Sequence, residues 1–396
     1  MTQDAAPETV GVRIARARKR RGLTQHGLAD KSRYSRGHIA QVESGQKVAI
    51  PSFVAAVAAA LGLDPGELYG QPYRARGHDD RVHTWIPELR RVLAYVDVGP
   101  ELAGRPRGLD VLAEEVATAR RLLLDAKLSR LGGRLPGVLE ELTYYAHETD
   151  DHAVWALLSK GHYAAVSLAR RLGYTGDALA LMDRAMEAAR RSQDPHLPLV
   201  VTLPRTLLLM AMDQTRPALT LLDRAAAEID PALSDADEVA GALELRSAIV
   251  AARSPHAGSQ AWDYYGRAVT RAQSSTRRAA VHDLQFTAAN VAVHGAAVAV
   301  ELGDLDEAAR RDHEIGERTL TALPPERRAH HEIDMSRVHV EVGDYGKALE
   351  RLASADRVAP QMVTFHPTAR SVVAHLVDVR RSLPEPLRRL HARMST

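Results

Sequence analysis

One short segment near the N-terminus, residues 23–46 (LTQHGLADKSRYSRGHIAQVESGQ), contains the residue types best suited to specific binding chemistry. Arg36 and Gln41 lie close together in it, and both side chains carry several hydrogen-bond donors. The segment therefore predicts either a piece of helical core or a surface that contacts another molecule.

Apolar residues of the same segment predict the two helices that would position this surface. They form one small cluster: Leu23, Leu28, Ala29, Ile39 and Val42. Thr24 and Ser35 are of the types that cap helix N-termini, so each would begin a helix. The polar residues between positions 36 and 41 cannot all be buried. We therefore expect an exposed, partly basic face with its N-terminus pointing outward, as suits a helix in a DNA major groove.

Turn residues around this segment predict a compact bundle of five short helices over about residues 9–69. Gly22 can end the first helix with a left-handed cap, and Pro51 suits the first turn of the fourth. Gly62 would close that helix, and Asp64-Pro65 would begin the last. Residues 71–84 show no helical periodicity, and we predict that they form a linker.

Charge is unevenly distributed along the 396 residues. Residues 1–50 contain ten basic and four acidic residues and so carry +6; since the net charge is +2, the remainder carries −4. A basic N-terminal region on a mildly acidic body is the pattern expected of a nucleic-acid-binding module. The length favours two or more domains.

The region from residue 85 to residue 396 is helical in pattern, shows no convincing alternation typical of strands, and partly repeats itself. LGDLDEAARR around Gly303-Asp304 recurs forty residues later as VGDYGKALER around Gly343-Asp344. Alanines recur seven residues apart in three further places: Ala178 and Ala185, Ala218 and Ala225, Ala261 and Ala268. Because small residues let helices pack closely and Gly-Asp marks a turn, we predict an all-α array of helix-turn-helix repeats. An irregular α-solenoid or bundle is the alternative.

Several function classes find no support in the sequence. The absence of cysteine excludes disulfides, thiolate metal sites and thiol catalysis. The histidine pairs His330-His331 and His147/His152 lack a third ligand at helical spacing, so we expect surface histidines, no metal and no cofactor. No phosphate-binding glycine loop or nucleophile elbow is present, so we expect no enzyme. Without a membrane-spanning run or signal peptide, the expected location is the cytoplasm. We expect the arginine pairs at 190–191, 277–278 and 327–328 to be solvated helix ends.

Residues 12–69 resemble the lambda-repressor-like helix-turn-helix domain of the XRE family of bacterial transcriptional regulators. The matching signature consists of Arg13 and Arg16, RGLTQ at 21–25, Leu28-Ala29, the S-x-x-x-I-x-x-V-E pattern at 35–43, Ser44-Gly45, Pro51-Ser52 and Leu61-Gly62. The repeat region resembles degenerate tetratricopeptide (TPR) repeats. This combination resembles the large XRE–TPR regulators of actinomycetes and, more loosely, peptide-responsive quorum-sensing regulators of Gram-positive bacteria.

The resemblance implies an all-α chain with a five-helix domain at 1–70, a linker at 71–84 and a TPR-like sensing and dimerisation domain at 85–396. It implies base reading by Arg36, Gly37 and Gln41, and a structural pair of Glu43 with Arg18. The other DNA-binding residues implied are Gln25, Arg33, Ser35, His38, Gln46 and Lys47, chiefly as contacts to phosphates or as caps. Two positions depart from the family: Arg33 stands where glycine is common, and Gly27 where glutamate is common.

The resemblance also implies a homodimeric transcriptional regulator that binds a pseudo-palindromic operator and senses a small molecule, peptide or protein. Candidate effector-binding residues are Tyr144, Tyr145, His152, Trp155, His162 and Asn290. The alternative for the aromatic cluster is inter-helix core with surface histidines, and for Asn290 a solvent-facing position. The alternative function is a TPR-like protein-interaction scaffold with only weak, non-specific DNA binding.

Overall fold

A computed structural model describes residues 8–73, 78–95, 98–274 and 281–394, and within these ranges the chain contains helices and no β-strand. The predicted all-α fold is confirmed. The N-terminal bundle, here called the head, has five helices: α1 (Val10–Arg20), α2 (Gln25–Ser32), α3 (Arg36–Glu43), α4 (Pro51–Leu61) and α5 (Pro65–Tyr69). Ile14, Leu28, Ile39 and Phe53 are fully buried at its centre. Five helices converging on one small apolar cluster explain why so short a region can be compact.

The predicted caps of the head are confirmed by the backbone and its hydrogen bonds. The Thr24 hydroxyl accepts from the Gly27 amide at 3.0 Å, and the Ser35 hydroxyl accepts from the His38 amide at 3.2 Å. Gly22 and Gly62 both adopt left-handed conformations, with φ of +67° and +63°. The first free amides and last free carbonyls of these short helices are thus satisfied locally.

The remaining helices form a second unit, here called the body. After a 3₁₀ helix at His78–Thr84, they are α6 (Trp85–Leu93), α7 (Leu109–Leu124), α8 (Leu128–Thr149), α9 (His152–Arg171), α10 (Thr175–Arg191), α11 (Leu197–Ala211), α12 (Thr215–Ala227), α13 (Ala236–Arg253), a 3₁₀ turn at Gly258–Gln260, α14 (Ala261–Ser274), α15 (Ala288–Leu302), α16 (Leu305–Thr321, kinked at Gly316), α17 (Pro325–Glu341), α18 (Tyr345–Val358), α19 (Pro360–Phe365), α20 (Pro367–Val379) and α21 (Glu385–Met394). From α9 to α18, consecutive helices pack in pairs, α9 on α10 through α17 on α18. This is the expected repeat-like arrangement.

The Gly-Asp motifs occupy the turns that the sequence predicted. Gly303 ends α15 and Gly343 ends α17, with φ of +78° and +79°. Asp304 and Asp344 then cap α16 and α18, each accepting a hydrogen bond at 3.0 Å from the amide three residues later. The recurring alanines Ala178, Ala185, Ala218, Ala261, Ala268, Ala308 and Ala348 are fully buried. The helices of each pair therefore approach closely at these positions.

Part of the predicted linker is packed structure. Residues 74–77 lie outside the described ranges, but His78–Thr84 forms the 3₁₀ helix, and Val82 and His83 are buried. The imidazole of His83 is within hydrogen-bond distance of the Tyr73 carbonyl, at 2.9 Å, and of the Tyr174 hydroxyl, at 3.1 Å. A short 3₁₀ helix has too few residues to show an apolar period, which is why the sequence did not reveal it.

The head packs directly on the body. Helix α4 contacts α11, and Val48 lies in a buried cluster with Val340 and Leu376 of the C-terminal helices. None of the described helices is both long and apolar enough to span a membrane. The head–body contact brings two candidate sites together, the exposed face of α3 and a cavity inside the body.

Candidate nucleic-acid interface and interior cavity

Helix α3 separates its apolar and polar residues as the sequence predicted. Ile39 and Val42 are 0% and 2% exposed and face the head core. The opposite side carries the predicted reading residues Arg36, Gly37 and Gln41, all exposed. Ser35 and Gln46, at the two ends of this face, are also exposed. The exposed face thus presents one guanidinium and one amide within two helical turns, with free amides at the helix N-terminus.

A buried ion pair holds α3 against α1. The Arg18 guanidinium donates from Nε and Nη2 to the two carboxylate oxygens of Glu43, at 2.7 and 2.8 Å. Gln25 donates to the same carboxylate at 2.9 Å. Burial alone would raise the pKa of Glu43, but the hydrogen bonds from Arg18 and Gln25 outweigh burial and lower that pKa. The predicted Arg18–Glu43 pair is confirmed, and Gln25, predicted as a phosphate contact, is half-buried beside it.

The side chain of His38 lies between two helices of the head. Its ring stacks on Phe53 with centroids 4.9 Å apart and lies 5.1 Å from the Tyr34 ring. Burial, and then the charge of Lys47, lowers the pKa of His38, which favours the neutral ring. The sequence placed His38 on the exposed face. The structure corrects this, because the imidazole fills the space between α3 and α4.

Comparison with known proteins supports this region as a recognisable unit. Residues 9–68 match a helix-turn-helix domain family. A search of curated proteins returned no match. Among solved structures, Bacillus thuringiensis PlcR in complex with the peptide PapR7 and DNA is similar at 13% identity and a TM-score of 0.25, over 67% of this chain and 95% of that chain. A TM-score of this size does not establish a shared fold.

Two further predicted DNA contacts are paired with acidic residues of the body. The Arg33 guanidinium donates to both carboxylate oxygens of Asp213, at 2.5 and 2.8 Å. The Lys47 ammonium lies 3.6 Å from a carboxylate oxygen of Glu341. Between them, an imidazole nitrogen of His375 lies 3.1 Å from the Gly45 carbonyl oxygen. The turns on both sides of α3 are therefore attached to the body through polar contacts.

The backbone at Arg33 has a conformation that favours glycine. Arg33 adopts a left-handed conformation with φ of +56°, at the end of α2. That conformation costs a non-glycine residue roughly 1–2 kcal/mol. In this chain the strained position carries the side chain that pairs with Asp213.

A cavity of about 340 Å³ lies between the head and the inner helices of the body. Its walls come mainly from α9, α11, α13, α15 and α17, the first helices of successive pairs. Pro51 and Tyr69 of the head, and Gln71 just after α5, line it from one side. The volume is within the range of small-molecule sites, roughly 300–1,000 Å³.

The cavity is lined by an excess of positive charge. Six arginines face three acidic residues in its lining: Arg120, Arg170, Arg171, Arg246, Arg253 and Arg327, against Glu301, Glu326 and Asp334. Arg171 pairs with Glu326 at 2.6 Å and Arg253 pairs with Glu301 at 2.8 Å. Among the described residues, Arg170 and Arg246 have no carboxylate partner.

The surroundings of these two arginines disfavour their charged form. Burial, and then the charge of Arg171, lowers the pKa of Arg170 to about 9. Burial, and then the charge of Arg327, lowers the pKa of Arg246 to about 10. The Nε atom of Arg246 is buried and donates to no acceptor in the described part of the chain. Both side chains remain charged at neutral pH, so the structure bears an uncompensated electrostatic cost here.

The predicted effector-binding residues do not assemble into one site. Of the six, Asn290 alone lines the cavity; Tyr144, Tyr145, His152, Trp155 and His162 do not. Trp155 donates to Asp150 at 2.7 Å under the Arg191 guanidinium, and Tyr145 donates to the Arg107 carbonyl at 2.8 Å. His162 is buried, and burial lowers its pKa to about 3. The aromatic residues pack between helices, as the alternative interpretation predicts, and His152 is exposed, but the buried His162 departs from the surface position that this interpretation gives the histidines.

Two expectations about polar residues of the body are wrong, and so is the solvent-facing alternative for Asn290. Asn290 is 2% exposed, and its side chain donates to the Gln285 carbonyl at 2.9 Å. His330 and His331, expected at the surface, line the cavity, as does Arg327, expected at a solvated helix end. Residues 277–278 lie outside the described ranges. The sequence missed the cavity because its charged residues come from helices far apart in the chain, and no local pattern marks them as facing one another.

Proposed function

We propose that this protein is a cytoplasmic, non-enzymatic, XRE-type transcriptional regulator that binds specific DNA sequences through its head and an effector through its body. The observation that carries this proposal is the exposed face of α3, where Arg36, Gly37 and Gln41 stand free above a buried Ile39–Val42 side. A helix with this arrangement can enter a major groove with its N-terminal residues at the base edges. The match of residues 9–68 to a helix-turn-helix family supports the same conclusion.

The head would act in pairs. Helix-turn-helix proteins commonly bind as dimers to half-sites about 34 Å apart, one helical turn of DNA. We therefore infer a homodimer on a pseudo-palindromic operator. Sedimentation of the full chain with and without operator DNA tests this stoichiometry, and one monomer per operator would contradict it.

The body would control the head through the polar contacts beside α3. Arg33 and Lys47 stand where the family contacts DNA phosphates, and here they pair with Asp213 and Glu341. A DNA phosphate and these carboxylates would compete for the same two cations. An effector that changes the head–body contact would then change DNA affinity.

Selection of genomic DNA fragments by the purified protein tests the proposal. We expect the native chain to enrich a short inverted repeat and the Arg36→Ala/Gln41→Ala variant to lose it, with a loss of roughly 1–3 kcal/mol for each base contact. The matched control is Arg190→Ala/Gln260→Ala, which removes one exposed arginine and one exposed glutamine from the body. The control should select the same repeat as the native chain.

The salt dependence of binding separates this function from the scaffold alternative. A scaffold with a merely basic head would bind all sequences alike, and its affinity would fall steeply with salt because only phosphate contacts contribute. Equal selection by the native chain and by the Arg36→Ala/Gln41→Ala variant would contradict base reading by α3 and favour that alternative.

A further inference from the structure

The interior cavity contains charged groups that the fold itself does not need. Arg170 lies on α9 and Arg246 on α13, on two inner helices that belong to different pairs. An arginine left unpaired in a partly buried site is costly, and replacing it with an uncharged residue generally preserves the fold. Two such arginines in one cavity are therefore better explained by a ligand than by folding stability.

The other titratable groups of the cavity leave the excess of arginine charge over carboxylate charge in place. Burial, and then the charge of Arg327, lowers the pKa of His294 to about 3, and burial, and then the charge of Arg171, lowers that of His366 to about 3. Burial also lowers the pKa of His330. These imidazoles are neutral at pH 7 and can donate hydrogen bonds without adding charge. Of the acids, Glu326 and Glu301 already pair with arginines, and burial, with Glu301 nearby, raises the pKa of Asp334 to about 6.

The rest of the lining is apolar. Leu207 and Leu208 of α11, Ile249 of α13 and Val293 of α15 contribute side chains to the same cavity. Next to them, Arg246 and Arg327 share a smaller recess with Tyr163 and His294. A cationic recess beside an apolar wall fits a ligand that has one anionic end and one hydrocarbon part.

We propose that this cavity binds a small organic anion whose phosphate or carboxylate group pairs with Arg170 and Arg246 and whose apolar part lies against α11. A cation is disfavoured because six arginines line the cavity against three acids, two of which already pair with arginines. A neutral apolar ligand would leave both guanidinium groups unpaired. The bound anion would supply the carboxylate or phosphate partner that the described chain does not give these two arginines.

A ligand in the cavity would contact the head at Tyr69 and the segment after it at Gln71. Tyr69 is the last residue of α5, and burial, and then the nearby Tyr73, raises its pKa, with Arg253 and Glu301 of the cavity also close by. An occupant would therefore contact the base of the head as well as the body. An effect of this contact on DNA affinity depends on the proposed function. The chemical class of the ligand depends only on the cavity.

Calorimetric titration of the full chain with four octyl compounds tests the ligand class. Octyl phosphate, octanoate, 1-octanol and octylamine share one apolar chain and differ only in the head group. We expect saturable binding of octyl phosphate or octanoate at least tenfold tighter than that of octanol, and no saturable binding of octylamine. The two anions distinguish a phosphate site from a carboxylate site. Equal affinity for octanol and both anions, or no binding of either anion, would overturn the proposal.

The variant Arg170→Gln/Arg246→Gln locates the site. We expect the anion to lose at least tenfold in affinity and to bind no better than octanol. Without ligand, this variant should melt at or above the native temperature, because it removes two unpaired charges. The matched control Arg190→Gln/Arg224→Gln removes two exposed arginines of the body and should bind like the native chain. A folded Arg170→Gln/Arg246→Gln variant that retains native anion affinity would overturn the assignment.

The same samples separate this inference from the proposed function. If the anion binds but operator affinity does not change, the ligand site is supported and its coupling to the head is refuted. If the anion binds but the chain shows no base preference in the fragment selection, the ligand site is supported and the proposed sequence-specific DNA binding is refuted.

Discussion

Glu43 is the residue on which the position of α3 most depends. Its side chain is 7% exposed and pairs with Arg18, whose side chain is 10% exposed. Glu43→Gln would leave the Arg18 guanidinium buried without its counter-charge, and breaking a buried pair in this way costs about 3–5 kcal/mol. We expect the amides of α1 and α3 to exchange hydrogen much faster in the full chain. Glu114→Gln, which breaks an exposed pair with Arg121, should leave the exchange of its own helix nearly unchanged, because solvent screens that pair.

The Glu43 carboxylate also predicts that the head loses stability at acidic pH. Hydrogen bonds from Arg18 and Gln25 hold the pKa of Glu43 below its ordinary value of 4.5 in spite of burial. A lowered folded-state pKa contributes stability above pH 4.5, and this contribution is lost as pH falls through the folded-state pKa. Protection of the α1 and α3 amides should therefore decline below pH 4.5. An equal decline in Glu43→Gln would assign the effect to other groups.

At the scale of elements, two glycines of the head give opposite predictions. A Cβ on Gly27 of α2 would have its nearest contacts at 3.6 Å, so Gly27→Ala should stabilise α2 by about 1 kcal/mol through helix propensity. A Cβ on Gly11 of α1 would lie 2.0 Å from the Val42 carbonyl oxygen, so Gly11→Ala must push α1 away from α3 and should cost about 1–3 kcal/mol. Hydrogen exchange of the head amides measures both. The same sign of change for both variants would contradict the described crossing of α1 and α3.

Local sequence signals predicted these elements well because their causes are local. Thr24, Ser35 and Gly62 determine helix ends through contacts within a few residues, and the Gly-Asp turns at 303–304 and 343–344 do the same in the body. Arg18 and Glu43 could be paired only through the resemblance to a family. His38 was misplaced because its position depends on Phe53, which belongs to another helix.

In the whole molecule, neither the cavity nor the docking of the head on the body could be predicted from local sequence patterns. Arg170 and Arg246 are separated by more than seventy residues, and Arg33 and Asp213 by 180. Such contacts depend on how the helix pairs stack. The stacking is the sum of small rotations at each interface between neighbouring pairs. From the sequence alone, charged residues on α9 and α13 are expected in solvent. In the structure, the stacking of the helix pairs places them in the cavity lining.

The ion pairs that join the head to the body predict how docking affects DNA binding. Asp213→Asn/Glu341→Gln removes both carboxylates that pair with Arg33 and Lys47 and leaves the head sequence intact. Each partly exposed pair contributes at most about 1 kcal/mol, so we expect operator affinity to rise roughly two- to tenfold at fixed salt. The matched control is Asp177→Asn, which breaks a similar pair with Arg90 within the body and should leave operator affinity unchanged. An unchanged or lower affinity of the Asp213→Asn/Glu341→Gln chain would mean that docking and DNA binding do not compete for Arg33 and Lys47. The body would then have to act on the head through the spacing of the two heads in a dimer.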